Sequence, residues 1–583
     1  MPIKKSELYS FLWQSCDELR GGMDASQYKD YVLVLLFMKY VSDKKSSQKD
    51  YLLDVPKGGS FGDMVELKGN AEIGDKMNKI IARLAEANGL KGVIDVADFN
   101  DPDKLGRGRE MVDRLSKLVA IFENIEFGRN RAEGDDLLGD AYEYLMRHFA
   151  TESGKSKGQF YTPAEVSRIM ARVIGIDKSA SQSQTIYDPT CGSGSLLLKA
   201  ADLAPHGITI YGQENDNATR ALAVMNMWLH NFADADIKQG NTMASPEFTD
   251  YSTGQLKTFD YAVANPPFSY KKWMNGLDPK NDIYKRFEGY SIKNKKRGDF
   301  AFLLHLIKSL KSKGKACIVL PLGVLFRGNA EAEIRKKIIQ KGYIKGIIGL
   351  PPNLFYGTGI AASLIIIDKE GASGRKSIFM IDASKGFIKD GNKNRLREQD
   401  IHKIVDTFNK KISTDPKYAR EIPISEIADP KNDYNLNIPR YIDSQEPEDI
   451  QDIEAHLQGG IPEGDVDALS KYWDVYPSMK AHLFSKVEGR PNYYQLNIAN
   501  EEIKNTIYHH PEFTAFSEEM EKVYTEWKTE ITVYCKALDR GLHPKQEIRH
   551  IAEKLLKQYA NRKLTDKYAI YQHVMDYWAE TMQ

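Results

Sequence analysis

Asn265-Pro266-Pro267-Phe268 follows Phe259 to Ala264, an apolar run that reads as a buried strand. The Asn265 side-chain oxygen and the Pro266 backbone carbonyl can each accept one hydrogen of an exocyclic amine. The two prolines stiffen the backbone, so both acceptors are held ready. Accepting both hydrogens gathers onto nitrogen a lone pair that is otherwise delocalised into a ring. Attack of an amino nitrogen on an electrophilic carbon requires this, and no strong base is needed. Phe268 supplies a surface for stacking on a base rotated out of a duplex, a contact worth about 1–3 kcal/mol in single-strand binders. A structural Pro-Pro turn at a strand end is the plain alternative.

A second segment carries a matching signal. A strand at Thr185 runs into Asp188-Pro189-Thr190-Cys191-Gly192-Ser193-Gly194-Ser195 and then a helix from Leu196 to Ala201. Gly192 and Gly194 let the backbone turn sharply and approach a ligand with no Cβ in the way. A dinucleotide fingerprint needs a third small residue where Leu197 stands, and a phosphate-binding P-loop needs a Gly-Lys-Ser/Thr that is absent. The next strand ends at Glu214, a carboxylate placed to accept both hydroxyls of a ribose. Gly240-Asn241-Thr242 closes a third strand, with Asn241 either a contact to an adenine ring or a turn residue. A nucleoside without a pyrophosphate fits this pattern, and S-adenosylmethionine meets that description.

These segments need a frame to hold them. From about Thr185, short β-rich runs alternate with helices: Thr185 to Tyr187, Ile208 to Gly212, Phe259 to Ala264, Ala316 to Leu320, Ile344 to Leu350 and Ser363 to Ile367. The alternation predicts an α/β fold with a doubly wound, Rossmann-like sheet over residues 151–445. Residues 1–150 read as an N-terminal helical domain, with amphipathic stretches at Met111 to Glu123 and Asp135 to Phe149. Residues 446–583 read as a helical C-terminal tail. Its stripe of Ile548, Ile551, Ala552, Leu555, Leu556 and Tyr559 is either its own core or a docking face.

The two motifs together resemble those of N6-adenine methyltransferases, and the chain as a whole resembles the modification (M) subunit of a type I restriction-modification enzyme. Tyr28 to Asp43 and Asn435 to Tyr441 resemble that family's flanking signatures. Gly158-Gln159-Phe160-Tyr161-Thr162-Pro163 resembles its additional cofactor motif. The resemblance implies that Gln159, Phe160, Tyr161, Thr162, Pro163 and Ala164 join Asp188, Thr190, Cys191, Gly192, Gly194, Glu214 and Asn241 around S-adenosylmethionine. It implies that Asn265, Pro266, Pro267 and Phe268 act on an adenine of double-stranded DNA. It also implies a specificity (S) subunit, a second M subunit and a restriction (R) subunit as partners, with the C-terminal region docking to the S subunit.

Bulk properties agree with a borrowed grip on DNA. The chain has 583 residues, with 81 Lys and Arg balanced by 81 Asp and Glu, so it is neutral where a protein gripping many phosphates alone would be basic. A local basic surface is expected past the catalytic motif. There Lys271, Lys272, Lys285, Arg286, Lys293, Lys295, Lys296 and Arg297 mix with Tyr270, Trp273, Tyr284, Phe287 and Tyr290. Its four cysteines are scattered, and neither a metal site nor a disulfide is expected; Cys191 reads as a small loop residue rather than a nucleophile. Tyr31 to Met38 is too short to cross a bilayer and no secretory signal is read at the N-terminus, so the cytoplasm is the expected location. Two other classes remain to be weighed: a methyltransferase acting on glutamine amides of proteins, and an inactive DNA-binding scaffold.

Overall fold

The computed structural model describes the chain apart from residues 1–4, 21, 49–50, 126–136, 153–160, 291, 293–296, 357, 413–414, 446–450, 539–543 and 582–583. The described residues form two compact units, one reaching to Ser444 and the other beginning at Gln445.

The first unit is built on a nine-stranded sheet. In chain order its strands are β1 (Thr185–Asp188), β2 (Thr209–Glu214), β3 (Asp236–Gln239), β4 (Phe259–Ala264), β5 (Leu310–Pro321), β6 (Ile344–Gly349), β7 (Ala362–Asp368) and β8 (Ser377–Asp382). After a separate hairpin of β9 (Ile388–Asp390) and β10 (Lys393–Arg395), β11 (Ala419–Pro423) completes the sheet. The spatial order is β11-β8-β6-β7-β5-β4-β1-β2-β3. Pairing is parallel from β3 to β5, while β7 runs antiparallel to both β5 and β6.

Alternation along each strand fills both faces. Ile186, Tyr261, Val263, Cys317 and Ile366 point to one core, covered by the helices Ala164–Val173, Ser195–Ala201 and Glu398–Lys410. Tyr187, Ala262, Ala264, Ile318 and Ile367 point to the other, covered by Asp299–Lys308 and Ala330–Gln340. With both faces buried, the central strands are almost wholly apolar, and this makes them readable as strands. The expected α/β doubly wound sheet is the one observed.

The N-terminal residues are helical, as expected. The helix Ala25–Ser47 is buried along Tyr31 to Met38 because its neighbours surround it, as a helix apolar on every side requires. Among the described residues, no helix is long and apolar enough to cross a membrane. The bundle packs on the methyltransferase-like part through the helix Asn217–Leu229. Ala221, Leu222 and Met225 of that helix belong to the bundle core, whereas Ala223 and Met227 belong to the sheet core. Tyr142 seals the junction by donating its hydroxyl to the Leu222 carbonyl at 2.7 Å.

The second unit is less purely helical than its sequence suggests. It carries a three-stranded antiparallel sheet of β12 (Ile461–Pro462), β13 (Phe484–Val487) and β14 (Arg490–Leu496), in the order β12-β14-β13. The apolar stripe of the helix Pro544–Gln558 is part of this unit's own core. Leu555 and Tyr559 pack with Val523, while Ala552 and Leu556 pack with Tyr571.

Candidate active site

The strand order explains how distant segments meet. β4, β1, β2 and β3 are consecutive neighbours with their carboxyl ends at one edge, the position where ligands bind in open α/β sheets. The ends carrying Asn265, the 188–194 loop, Glu214 and Gly240-Asn241 therefore follow one another at the ~4.8 Å strand spacing, a row roughly 14 Å long. A cavity of about 460 Å³ lies along it, and Tyr161, Thr190, Gly192, Glu214, Asn241 and Asn265 through Phe268 line its wall.

The 188–194 loop is held from several sides. Asp188 Oδ1 accepts from the Thr190 N–H at 2.8 Å, and the Cys191 N–H donates to the Gln213 carbonyl at 3.0 Å. Gly192 (φ 55°) and Gly194 (φ 78°) adopt left-handed backbone, which glycine enters without strain. Bare backbone at 192 lets its N–H donate to Glu214 Oε2 at 3.0 Å. The other carboxylate oxygen accepts from the Asp216 N–H at 2.9 Å, so each oxygen keeps a lone pair for a ligand hydroxyl. Thr242 ties the next strand end to the loop by donating to the Pro189 carbonyl at 2.5 Å.

Burial sets the electrostatics. It pushes the Asp188 carboxyl up to about 8, with Glu214 adding to the effect and the Thr190 N–H opposing it. Glu214 is raised by burial too, against the pull of backbone N–H groups including that of Gly192. Two desolvated carboxyls beside one cavity favour a cationic ligand. Burial also drives the Cys191 thiol well above its ordinary range, and Cys191 packs so closely on Gly212 that a Cβ there would lie 3.0 Å from Sγ. The thiol fills space and stays protonated.

The catalytic tetrapeptide closes the other end. Asn265 donates its amide Nδ2 to Thr162 Oγ1 at 3.0 Å. Phe268 meets Phe355 edge to face, with ring centroids 5.4 Å apart. Phe355 is not among the residues singled out from the sequence, although its signal is there: β6 is followed by Pro351-Pro352 and then an aromatic residue, the same order as around β4. The loop bearing Phe355 is stapled from the β9–β10 hairpin. Lys393 donates to the Phe355 and Thr358 carbonyls at 2.7 and 3.0 Å, and Asn394 to the Pro352 carbonyl at 2.7 Å.

Other sequence-assigned residues stand elsewhere. Asp188, Cys191 and Gly194 are absent from the cavity wall and shape the loop from behind it. Pro163 precedes the helix Ala164–Val173, of which Ala164 is the first residue. Asn241 lines the cavity, yet its side-chain oxygen accepts from the Met243 N–H at 3.0 Å and so caps a turn. Gln159 and Phe160 lie outside the described residues, as do Lys293, Lys295 and Lys296 of the basic stretch.

The basic stretch also needs correcting at Arg286, Trp273 and Phe287, which are buried. Arg286 pairs with Asp282 at 2.8 Å and donates to the Thr242 and Met243 carbonyls at 3.1 and 2.8 Å. Its charge is spent inside the protein, bracing the strand end that carries Asn241. Beside it, His305 is held well below its ordinary range by burial and by Arg286. Among the described residues, no group of three His, Cys, Asp or Glu is arranged to hold a metal ion.

Comparison with known proteins supplies the family. Residues 133–450 match the model of the N-6 DNA Methylase family, and residues 8–122 match the HsdM N-terminal domain. The chain is 31% identical to the methylase subunit of the type I restriction enzyme MjaVIII of Methanocaldococcus jannaschii, over 77% of this chain and 80% of that one. It is 29% identical to the corresponding MpnII subunit of Mycoplasma pneumoniae, over 80% of this chain and 95% of that one. A crystal structure of a type I restriction-modification methyltransferase subunit from Streptococcus thermophilus superimposes with a TM-score of 0.64 at 31% identity, covering 76% of this chain and all of that one. The chain belongs to the N-6 DNA methylase family of adenine-specific DNA methyltransferases, as a modification subunit of the type I restriction-modification kind.

Proposed function

We propose that this chain transfers the methyl group of S-adenosylmethionine to N6 of an adenine rotated out of double-stranded DNA, within a complex whose S subunit reads the sequence. The observation that carries this reading is that Asn265 through Phe268 and the Thr190, Gly192 and Glu214 segment wall a single cavity.

The residues present fit the cofactor. The spare lone pairs of Glu214 suit two ribose hydroxyls, Asn241 and Thr242 lie at the far end of the row for a purine, and Gly192 offers bare backbone. The buried carboxyls of Asp188 and Glu214 gain from a nearby positive charge. When bound, S-adenosylmethionine supplies a methyl group on a cationic sulfur. The chain supplies the rest: Asn265 and the Pro266 carbonyl accept the two hydrogens of the adenine amine and aim its lone pair. Phe268 and Phe355 give the extracted base two aromatic walls.

The neutral charge of the chain and the burial of Arg286 fit a subunit that shares its hold on DNA with an S subunit, a second M subunit and, for cleavage, an R subunit. The C-terminal unit is the proposed dock for the S subunit, by surfaces other than its packed stripe, and the cytoplasm is the proposed location. A protein glutamine-amide methyltransferase or an inactive scaffold is less favoured, because the family match spans the whole catalytic part.

The test is single-molecule sequencing of DNA from cells expressing this chain with its neighbouring S subunit, beside an Asn265→Ala control. N6-methyladenine at a split recognition sequence, lost in the variant, is expected. The variant keeps its cofactor affinity and loses about two to three orders of magnitude in methyl transfer, the usual cost of removing one preorganised hydrogen-bonding group. Unmethylated DNA in both strains, with methyl transfer to peptide amides instead, overturns the assignment.

A further inference from the structure

We propose that Thr162 is a positioning residue for the catalytic amide, fixing which end of Asn265 faces the base. The proposal rests on the methyl-transfer reading above and adds a residue to its chemistry.

A carboxamide has two ends of nearly equal shape and opposite hydrogen-bonding sense: an oxygen that only accepts and an NH2 that only donates. The adenine amine has two hydrogens to give. With Asn265 turned by half a rotation about its last bond, NH2 would face NH2, and the acceptor that aims the lone pair would be lost. The side chain must therefore be held in one sense before the base arrives. Thr162 Oγ1 accepts from Asn265 Nδ2 at 3.0 Å, which leaves Oδ1 as the end free to serve the base.

The threonine is itself well placed to hold. Its neighbour Tyr161 is only 2% exposed and donates its hydroxyl to Glu143 Oε1 at 3.1 Å. Glu143 is in turn paired with Lys199 at 3.0 Å, on the helix that follows the 188–194 loop. The Tyr161 ring packs 5.7 Å from Tyr356, next to Phe355. On the other side Pro163 leads into the helix Ala164–Val173, where the Ser167 N–H donates back to the Pro163 carbonyl at 3.0 Å. Thr162 thus sits on a short segment pinned at both ends, and a hydroxyl so supported can set the rotation of a neighbouring amide.

The experiment is a set of single-turnover methyl-transfer rates on the complex of this chain with its S subunit, with cofactor affinity measured separately by titration with a non-reactive analogue. Thr162→Val keeps the shape and removes the acceptor; its rate is expected to fall at least tenfold while analogue affinity stays within threefold. Thr162→Ser keeps the hydroxyl and loses the methyl group, so it restores the rate if hydrogen bonding matters and fails to if packing does. A second cycle protects the test against misfolding. Asn265→Asp presents an acceptor at both ends and has no wrong sense, so adding Thr162→Val to it should cost less than threefold. Loss of analogue binding in Thr162→Val, or an equal drop in both backgrounds, overturns the positioning role. An active Asn265→Ala would instead overturn the catalytic reading itself.

Discussion

Replacing Asp188 with Asn tests the electrostatics of the cofactor loop. The amide has the size of the carboxyl, and its oxygen can still accept from the Thr190 N–H that now lies at 2.8 Å. What disappears is a titration. In the unfolded chain an aspartate ionises near 3.9, whereas burial pushes folded Asp188 up to about 8. Between those values the folded state holds a proton that the unfolded state lacks. Wild-type stability therefore falls as pH rises through this window, by about 1.4 kcal/mol per pH unit, and levels off above it. An amide at this position does not titrate, so the Asp188→Asn variant has no such slope. The difference in unfolding free energy should move in the variant's favour by about 3 kcal/mol between pH 5 and pH 7. Urea denaturation of the two proteins across that range, followed by tryptophan fluorescence, reads the difference directly, since other groups cancel. The same logic predicts that a cationic ligand seated by Asp188 and Glu214 drives protons into the buffer. Calorimetric heats of S-adenosylmethionine binding at pH 7 should then differ between phosphate and Tris for the wild type. Parallel stability curves for the two proteins, or heats blind to the buffer, would refute the argument from burial.

Two further outcomes separate the base-binding wall from the structural interior. Phe355→Ala should weaken the hold on the extracted base by about 1–3 kcal/mol, seen as lost fluorescence change with 2-aminopurine at the target position, while cofactor affinity stays unchanged. An unaltered signal would remove Phe355 from the wall. Arg286→Met leaves Asp282 buried without its cation and should cost about 3–5 kcal/mol of stability, most of it recovered by adding Asp282→Asn. The salt dependence of DNA binding should not change, because this arginine meets no phosphate; a shallower slope in the variant would return it to the DNA surface.

The central strands are legible in the sequence because each is an unbroken apolar run buried on both faces. The run Phe259–Ala264 coincides with β4 to the residue, and β1, β2, β6 and β7 agree to within one or two. β3 is hidden because Asp236–Gln239 is an edge strand with one buried residue, Ile237, too little to make a pattern. β8 escapes for the opposite reason: Ile378-Phe379-Met380-Ile381 is wholly buried, and a short apolar run looks alike in helix and strand. The β12–β14 sheet escapes because its strands are half exposed and carry Pro, Asn, Gln and Lys.

Residue type identifies the chemistry of the site, and pairing supplies its location. Nothing local in Asn265-Pro-Pro-Phe or in the 188–194 loop says that they are neighbours; β1 and β4 meet because Ile186 pairs with Tyr261 and Tyr187 with Ala262. The same limit explains the misread arginine. A cluster of Lys, Arg and aromatic residues after a catalytic motif has the composition of a nucleic-acid surface, and only the fold reveals that Arg286 turns inward to Asp282 and two carbonyls. Once inside, it braces Thr242, whose hydroxyl holds the Pro189 carbonyl at the start of the cofactor loop. The segment past the catalytic motif and the wall of the cofactor cavity are therefore one mechanical piece. Movement of that segment as DNA enters would reach the cofactor through this arginine, without any contact between the two ligands.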